Sequence, residues 1–401
     1  MKKKPEVTNL YYITHIENLP SILRHGILSH AEVERRSLNR VAIYDASIVN
    51  RRRERRAPDG RTLWEFANVY FQPRNPMLYR VLHERPFTEM AILGVRRSVL
   101  DAPGVLLADG NAANDETRLL EGPVGSLAIQ EIWGSIRSEW WNSVDGSKRR
   151  IMAECLVPDR IAPESLDSVY VTDHATAERV RLLIGDAVPI VPEPHMFFRP
   201  TQRHRIAPHL SLVEGDMFFS AMQTLTVSVN TVGVMGRGLA SRAKHQFPDV
   251  YVFYQEACRA KSLAMGRPVL YKRESFVDVE LADDPVSLHQ PNARKWFLLF
   301  PTKSHWRNAS DIDAIGAGLR WLTTQYRALG IQSLALPALG CGLGQLDWKD
   351  IGPLMCQELA RMDITVVIYL PREREIPLEH LSPRYLTGHD FVREPELVYE
   401  A

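Results

Sequence analysis

Two glycine-rich stretches carry the residue types best suited to chemistry. Val227 to Ala240 reads VSVNTVGVMGRGLA, an apolar run, then Gly233, Gly236 and Gly238, then a helix-forming segment. Leu334 to Trp348 reads LALPALGCGLGQLDW, with Gly340, Gly342 and Gly344 following a second apolar run. Such loops let backbone N–H groups close on a pyrophosphate, and a helix N-terminus adds a dipole that favours the anion. The spacing is neither G-x-G-x-x-G nor G-x-x-x-x-G-K-[ST], which disfavours dinucleotide-fold and nucleotide triphosphatase readings. Two loops at neighbouring strand ends could grip one diphosphate from both sides; ordinary turn glycines are the competing reading.

The first half offers a different set. Tyr11, Tyr12, Thr14 and His15 lie in LYYITHIENLPSILRHGIL (Leu10 to Leu28), five arginines crowd Arg51 to Arg56, and Glu154 stands in IMAECLVPDRI (Ile151 to Ile161). Transfer from a nicotinamide donor needs aromatics to stack the ring, cations for the diphosphate, and a carboxylate beside the ribose as cationic character develops. These types suit those roles, although an aromatic strand and a strand-borne Glu are usually core and surface. Arginines with aromatics nearby also suit single-stranded nucleic acid, with a solvated charged loop as the bland alternative.

The elements that must hold these residues follow from pattern. At 401 residues the chain is too long for one ordinary core, and its 45% hydrophobic and 24% charged content excludes wholesale disorder. A formal charge of +1 leaves nucleic-acid binding to a local patch. Cys155, Cys258, Cys341 and Cys356 form no CxxC pair, so no disulfide framework or metal site is expected. Neither a signal peptide nor a membrane span is apparent, and a cytoplasmic protein is expected. Residues 191–209, with four prolines among basic and polar residues, read as a junction between domains 1–203 and 204–401. Strands are expected at Leu10 to Thr14, Val69 to Phe71, Ala91 to Val95, Gly104 to Leu107 and Val169 to Thr172. In the second half they fall at Leu225 to Val229, Trp296 to Phe300, Ser333 to Leu336 and Thr365 to Tyr369. Helices are expected at Ile16 to His25 with Gly26 as stop, Glu131 to Trp141, Ile312 to Leu329 and Ile351 to Arg361. The stretch from Arg51 to Gly60 is too basic to expect burial, and the tail from Pro371 shows no fold of its own.

In the second half, Ile206 to Leu370 resembles a macrodomain, the α/β/α three-layer fold that binds ADP-ribose, and most closely the DarG antitoxin macrodomain through FPTKSHWR (Phe300 to Arg307). The resemblance places Asp216 on the adenine and Asn230 at the distal ribose. It assigns ADP-ribose binding to Gly233, Val234, Met235 and Gly236, and to Gly340, Cys341, Gly342, Leu343 and Gly344. It makes Lys303 the residue on which removal of ADP-ribose depends. A lysine acting as base or nucleophile must lose its proton, so Lys303 needs partial burial or a nearby positive charge.

In the first half, Val7 to Phe198 resembles DarT, an α+β ADP-ribosyltransferase-like toxin family acting on single-stranded DNA with NAD as co-substrate. VYFQPRNPMLY (Val69 to Tyr79) is the most diagnostic block. The A-E-x-L-V-P block places the family's catalytic glutamate at Glu154. Its I-x-x-R-R pattern places the catalytic arginine at Arg52, with Arg51 in reserve. NAD is assigned to Tyr12, Ile13, Thr14, His15 and Arg51; the family often has histidine where Tyr12 stands. Together the halves imply a fused toxin–antitoxin of the phage-defence kind, modifying thymine and reversing the mark. Transfer to guanine, a macrodomain that only binds ADP-ribose, and restraint of the transferase by contact are the alternatives. The DarG antitoxin often carries a further C-terminal domain that restrains the toxin, and the tail after Pro371 is expected to be too short for it.

Overall fold

The computed structural model describes residues 7–43, 46–284, 288, 294–371 and 375–390, with the side chains of residues 46–49 outside that description. The chain forms two compact units. The first comprises Met1–Phe198 with Val277–Asn292, and the second Arg199–Phe276 with Ala293–Ala401. A cut near residue 198 falls inside the proline-rich junction, while the passage of Val277–Asn292 into the first unit has no signature in the sequence.

The first unit is built on an eight-stranded sheet in the order Ile190–Pro192, Leu166–Val171, Met90–Arg96, Asn9–His15, Phe66–Tyr70, Glu154–Pro158, Leu106–Ala108, Leu119–Glu121. Its pairings are antiparallel except that of Ile190–Pro192 with Leu166–Val171. Period-two alternation sends Val69, Cys155 and Leu107 into one apolar cluster and Phe66, Leu156 and Leu106 into another. The first helix starts later than its apolar spacing suggests, because a 3-10 turn at Ile16–Asn18 precedes Leu19–His25. Gly26 ends it at φ 85°, a conformation glycine adopts without strain.

Two expectations need correction here. The arginine run departs from a solvated loop at one residue: Arg51 to Arg53 lie in the last turn of helix Ala46–Glu54 with Arg55 and Arg56 beyond it, and Arg52 alone of the five is buried, at 7% exposed. Burial is tolerated because a carboxylate receives it, as described below. The helix expected over Glu131 to Trp141 instead begins at Gly122, runs to Glu131, and continues only as a short turn at Trp133–Ile136. Pro123 stands at its first turn, a start signal outweighed in the sequence by the later apolar spacing.

The second unit has a seven-stranded sheet in the order Gln202–Ala207, Leu210–Glu214, Thr365–Tyr369, Ser333–Pro337, Thr224–Asn230, Trp296–Lys303, Val269–Tyr271. Its five central strands are parallel and the two edges antiparallel. Leu298 and Phe300 pack with Ile315, Leu319 and Leu322 of helix Ile312–Leu329. Phe297, one residue out of phase, meets Phe247 at 5.0 Å between ring centroids on the other face. Helices therefore cover both faces, as buried parallel strands require. The tail also departs from expectation. Leu378–Leu381 and Pro383–Thr387 form short helices whose Leu381 and Leu386 are buried in this core; residues 391–401 lie outside the described set. No described helix is long and apolar enough to cross a membrane.

Candidate active sites

Glu154 opens strand Glu154–Pro158, where its neighbours in register are Tyr70 on one side and Ala108 on the other. It is fully buried. Arg52 Nη1 donates to its Oε2 at 3.0 Å, and the Ala112 backbone N–H donates to its Oε1 at 2.8 Å. A buried carboxylate is stable only with such partners. Nε and Nη2 of Arg52 are buried without a hydrogen-bond partner among the described residues. Arg51, by contrast, is exposed and stands 3.9 Å from Asp284. Of the two candidate arginines, the fold thus brings Arg52 to Glu154.

Positive charge gathers around this pair. His30 stacks on Trp64 with centroids 4.1 Å apart, and Arg53 lies over the same indole at 4.3 Å. Burial, with the guanidinium groups of Arg40, Arg52 and Arg53, pushes His30 down to about 3. The Tyr70 hydroxyl is held well above its ordinary value, first by burial and then by the Glu154 carboxylate.

The Tyr12 to His15 block lies on the neighbouring strand Asn9–His15. Thr14 Oγ1 accepts from Asn18 Nδ2 at 3.2 Å, and Asn18 also grips both the carbonyl and the N–H of Val41. His15 is buried; its Nδ1 accepts the Glu17 N–H at 3.2 Å and its Nε2 faces Glu89 at 3.3 Å. Ile13 is buried and Tyr12 only partly so.

In the second unit the strand ends converge. A register shift pairs Asn230 directly with Lys303. The Asn230 carboxamide braces the first glycine loop: its Nδ2 donates to the Val234 carbonyl at 2.6 Å, and its Oδ1 accepts the Val232 N–H at 3.0 Å. The buried Tyr254 hydroxyl donates to Asn230 from below, at 2.8 Å to its backbone oxygen and 2.9 Å to Oδ1. Lys303 Nζ donates to the Leu343 carbonyl of the second loop at 3.1 Å, and burial lowers its amine below the usual lysine range.

The glycines divide into two kinds. A Cβ on Gly342 would meet nothing within 4 Å, and one on Gly236 only a Val234 methyl at 3.9 Å, so both face open space. A Cβ on Gly340 would fall 2.6 Å from Leu346, and one on Gly344 2.5 Å from the Gly340 carbonyl oxygen. Those two are required by the loop's own packing. Met235 and Cys341 are buried, whereas Val234 and Leu343 are exposed. Gly233 adopts φ 81°.

Asp216 is tied to a residue the sequence reading passed over. Arg242 Nη1 donates to both Asp216 oxygens at 2.8 Å, and its guanidinium lies 4.5 Å above the Phe218 ring. Arg242 and Tyr254 carry no local motif; only the fold brings them to the loop.

Comparison with known proteins places both halves. Residues 11–198 match the family model described as ssDNA thymidine ADP-ribosyltransferase, DarT. The chain is 53% identical over 385 residues to a Thermosipho africanus protein named DNA ADP-ribosyl transferase-DNA ADP-ribosyl glycohydrolase fusion protein, covering 95% of this chain and 99% of that one. It is similar to the structure of Thermosipho africanus DarTG in complex with ADP-ribose, with a TM-score of 0.88 and 51% identity across 94% of this chain and 99% of the other. A Thermus aquaticus protein named DNA ADP-ribosyl glycohydrolase is 34% identical over 165 residues, 41% of this chain and 42% of its own length. The expected transferase-like unit followed by a macrodomain is the fold found.

Proposed function

The chain belongs to the family of fused DNA ADP-ribosyl transferase–DNA ADP-ribosyl glycohydrolase proteins, and from that premise we propose that it both writes and erases ADP-ribose on DNA. The first unit takes NAD as co-substrate and modifies thymine in single-stranded DNA; the second hydrolyses the product. The observation that carries this reading is the buried Arg52–Glu154 pair in one unit, alongside Lys303 between two glycine loops in the other.

In transfer, the bond between the nicotinamide nitrogen and the ribose anomeric carbon breaks, and nicotinamide leaves with the electron pair. A thymine ring nitrogen gives its proton to solvent and forms the new bond to that carbon. Glu154, held by Arg52 and the Ala112 N–H, orients the ribose and faces its developing positive charge. Arg52 keeps two N–H-bearing nitrogens clear of Glu154, and these polarise the base carbonyl beside the reacting nitrogen. In erasure, water adds to the anomeric carbon and the base nitrogen recovers its proton. Lys303 acts as the neutral amine, which its depressed basicity favours. Gly236 and Gly342 leave room for backbone N–H groups to approach the diphosphate. The use of NAD and DNA supports a cytoplasmic reaction. Joining the units holds eraser near writer at roughly millimolar effective concentration.

The test uses the full-length Lys303→Ala protein with NAD and two single-stranded oligonucleotides, whose only reactive base is thymine in one and guanine in the other. Mass spectrometry is expected to find one ADP-ribosyl group on the thymine strand, removed on adding the parent protein. A mark on the guanine strand alone would overturn the base assignment. A mark that the parent protein leaves intact would make the second unit a reader.

A further inference from the structure

The segment entering the first unit from within the second unit's sequence makes contacts of a kind found inside folds. Of Val277–Asn292, residues 277–284 and 288 are described. Leu281 and Ala282 are buried. The Leu281 carbonyl accepts the indole N–H of Trp141, itself fully buried, at 3.1 Å. Tyr79 donates its hydroxyl to Asp278 at 3.0 Å, and both groups are buried. Arg80 is fully buried, and its Nε donates to Asp283 Oδ1 at 2.8 Å while Nη1 reaches Glu84 at 3.2 Å. Lys148 Nζ donates to the Val279 carbonyl at 3.0 Å.

The same segment reaches the helix that carries Arg52, for Asp284 Oδ2 lies 3.9 Å from Nη2 of Arg51, one residue before Arg52. The buried Tyr70 hydroxyl feels the charges of Glu154 and Arg52 together with those of Asp283 and Arg80. Tyr70 is also the register partner of Glu154. Removing Asp283 would take from the buried Arg80 guanidinium the carboxylate its Nε donates to, and Arg80 would have to move or draw in water.

We propose that Val277–Asp284 is an integral part of the transferase, and that Asp283, acting through Arg80, is a positioning residue for the Arg52–Glu154 pair. The writer is thereby completed by a segment encoded inside the eraser's sequence, so a chain that stops before the eraser yields no competent writer. This rests on the transferase reading given above, and the experiment separates the two.

Nicotinamide release is followed in the full-length protein with NAD and a thymine-containing single strand, a readout that erasure does not mask. Asp283→Asn is expected to lower kcat about tenfold with KM for NAD changed less than about twofold, as misplacement of a reacting group predicts. Asp283→Glu should recover part of that loss, and affinity of the second unit for ADP-ribose should stay at the parental value. Parental kcat in Asp283→Asn overturns the proposal, and a raised kcat would make the segment a restraint instead. Tyr79→Phe deletes only the hydroxyl bonded to Asp278 and should lower kcat about threefold in a folded protein. Parental kcat there overturns the proposal even if Asp283→Asn fails to fold. Glu154→Ala is the control: activity in that variant refutes the transferase site itself, whereas an inactive Glu154→Ala beside a fully active Asp283→Asn removes only the role given to the segment.

Discussion

The two proposed reactive centres are built in opposite ways. Glu154 and Arg52 form an ion pair closed off from water, with the carboxylate also held by a backbone N–H. Lys303 is half-exposed at a strand end and leans on one backbone carbonyl. A buried pair commits the surrounding fold, because removing either partner strands a charge where water cannot reach it. An open lysine commits little beyond its own amine. Changes at Glu154 or Arg52 should therefore disturb structure and catalysis together, whereas a change at Lys303 should affect catalysis alone.

The largest expected effect breaks the writer. Glu154→Ala should reduce transfer at least about a thousandfold, through loss of charge facing the ribose. It should also lower the first unit's melting temperature, because Arg52 loses its partner. Activity within about tenfold of the parent chain would remove Glu154 from the site.

Lys303→Ala should slow erasure about a hundredfold or more while leaving the melting temperature within about a degree. In cells, the full-length variant should accumulate ADP-ribosylated DNA and stop growing, and adding Glu154→Ala should restore growth. Normal growth with unmarked DNA would favour restraint by contact over erasure.

Comparing Arg52→Ala with Arg51→Ala sharpens the picture inside the writer. The former should cost about a hundredfold in transfer and the latter under about threefold, as measured by nicotinamide release. The reverse order would shift the catalytic position by one residue.

Among the loop glycines, Gly342→Val should weaken ADP-ribose binding about tenfold with stability unchanged, since its Cβ enters open space, where the proposed diphosphate site lies. Gly340→Val should instead unfold the loop, because it clashes with Leu346 and Gly340 holds φ 79°. Calorimetry and thermal melts on the same two proteins distinguish these outcomes.

The smallest effect is on pH dependence. Burial disfavours the charged form of Lys303, so its neutral amine persists to lower pH than in an ordinary lysine of 10.5. Erasure should rise with pH on a limb centred below that value. Residual activity in Lys303→Ala should lack the limb, and an unchanged profile would deny Lys303 its role.

Much of this was readable from local pattern. Strand Thr365–Tyr369 and helix Ile312–Leu329 lie where apolar spacing put them, because side-chain period depends only on near neighbours. The glycine loops after Thr224–Asn230 and Ser333–Pro337 also fall where the sequence put them, because their backbone demands are local too. Helix Gly122–Glu131 was less legible: it mixes two glycines with exposed Val124 and Leu127, so no apolar stripe marks it.

The sequence by itself determined which residue types could react and that two such sets share one chain. Tertiary structure alone decided which arginine of a crowded run meets Glu154, since that contact joins residues 102 apart and depends on burial. It likewise decided that Gly340 serves packing while Gly342 faces open space, that Arg242 holds Asp216, and that Asp283 belongs with Arg80. The physical reason is common to these cases. Sequence spacing encodes the period of an element, but the worth of a charge or a missing Cβ depends on what the fold sets against it.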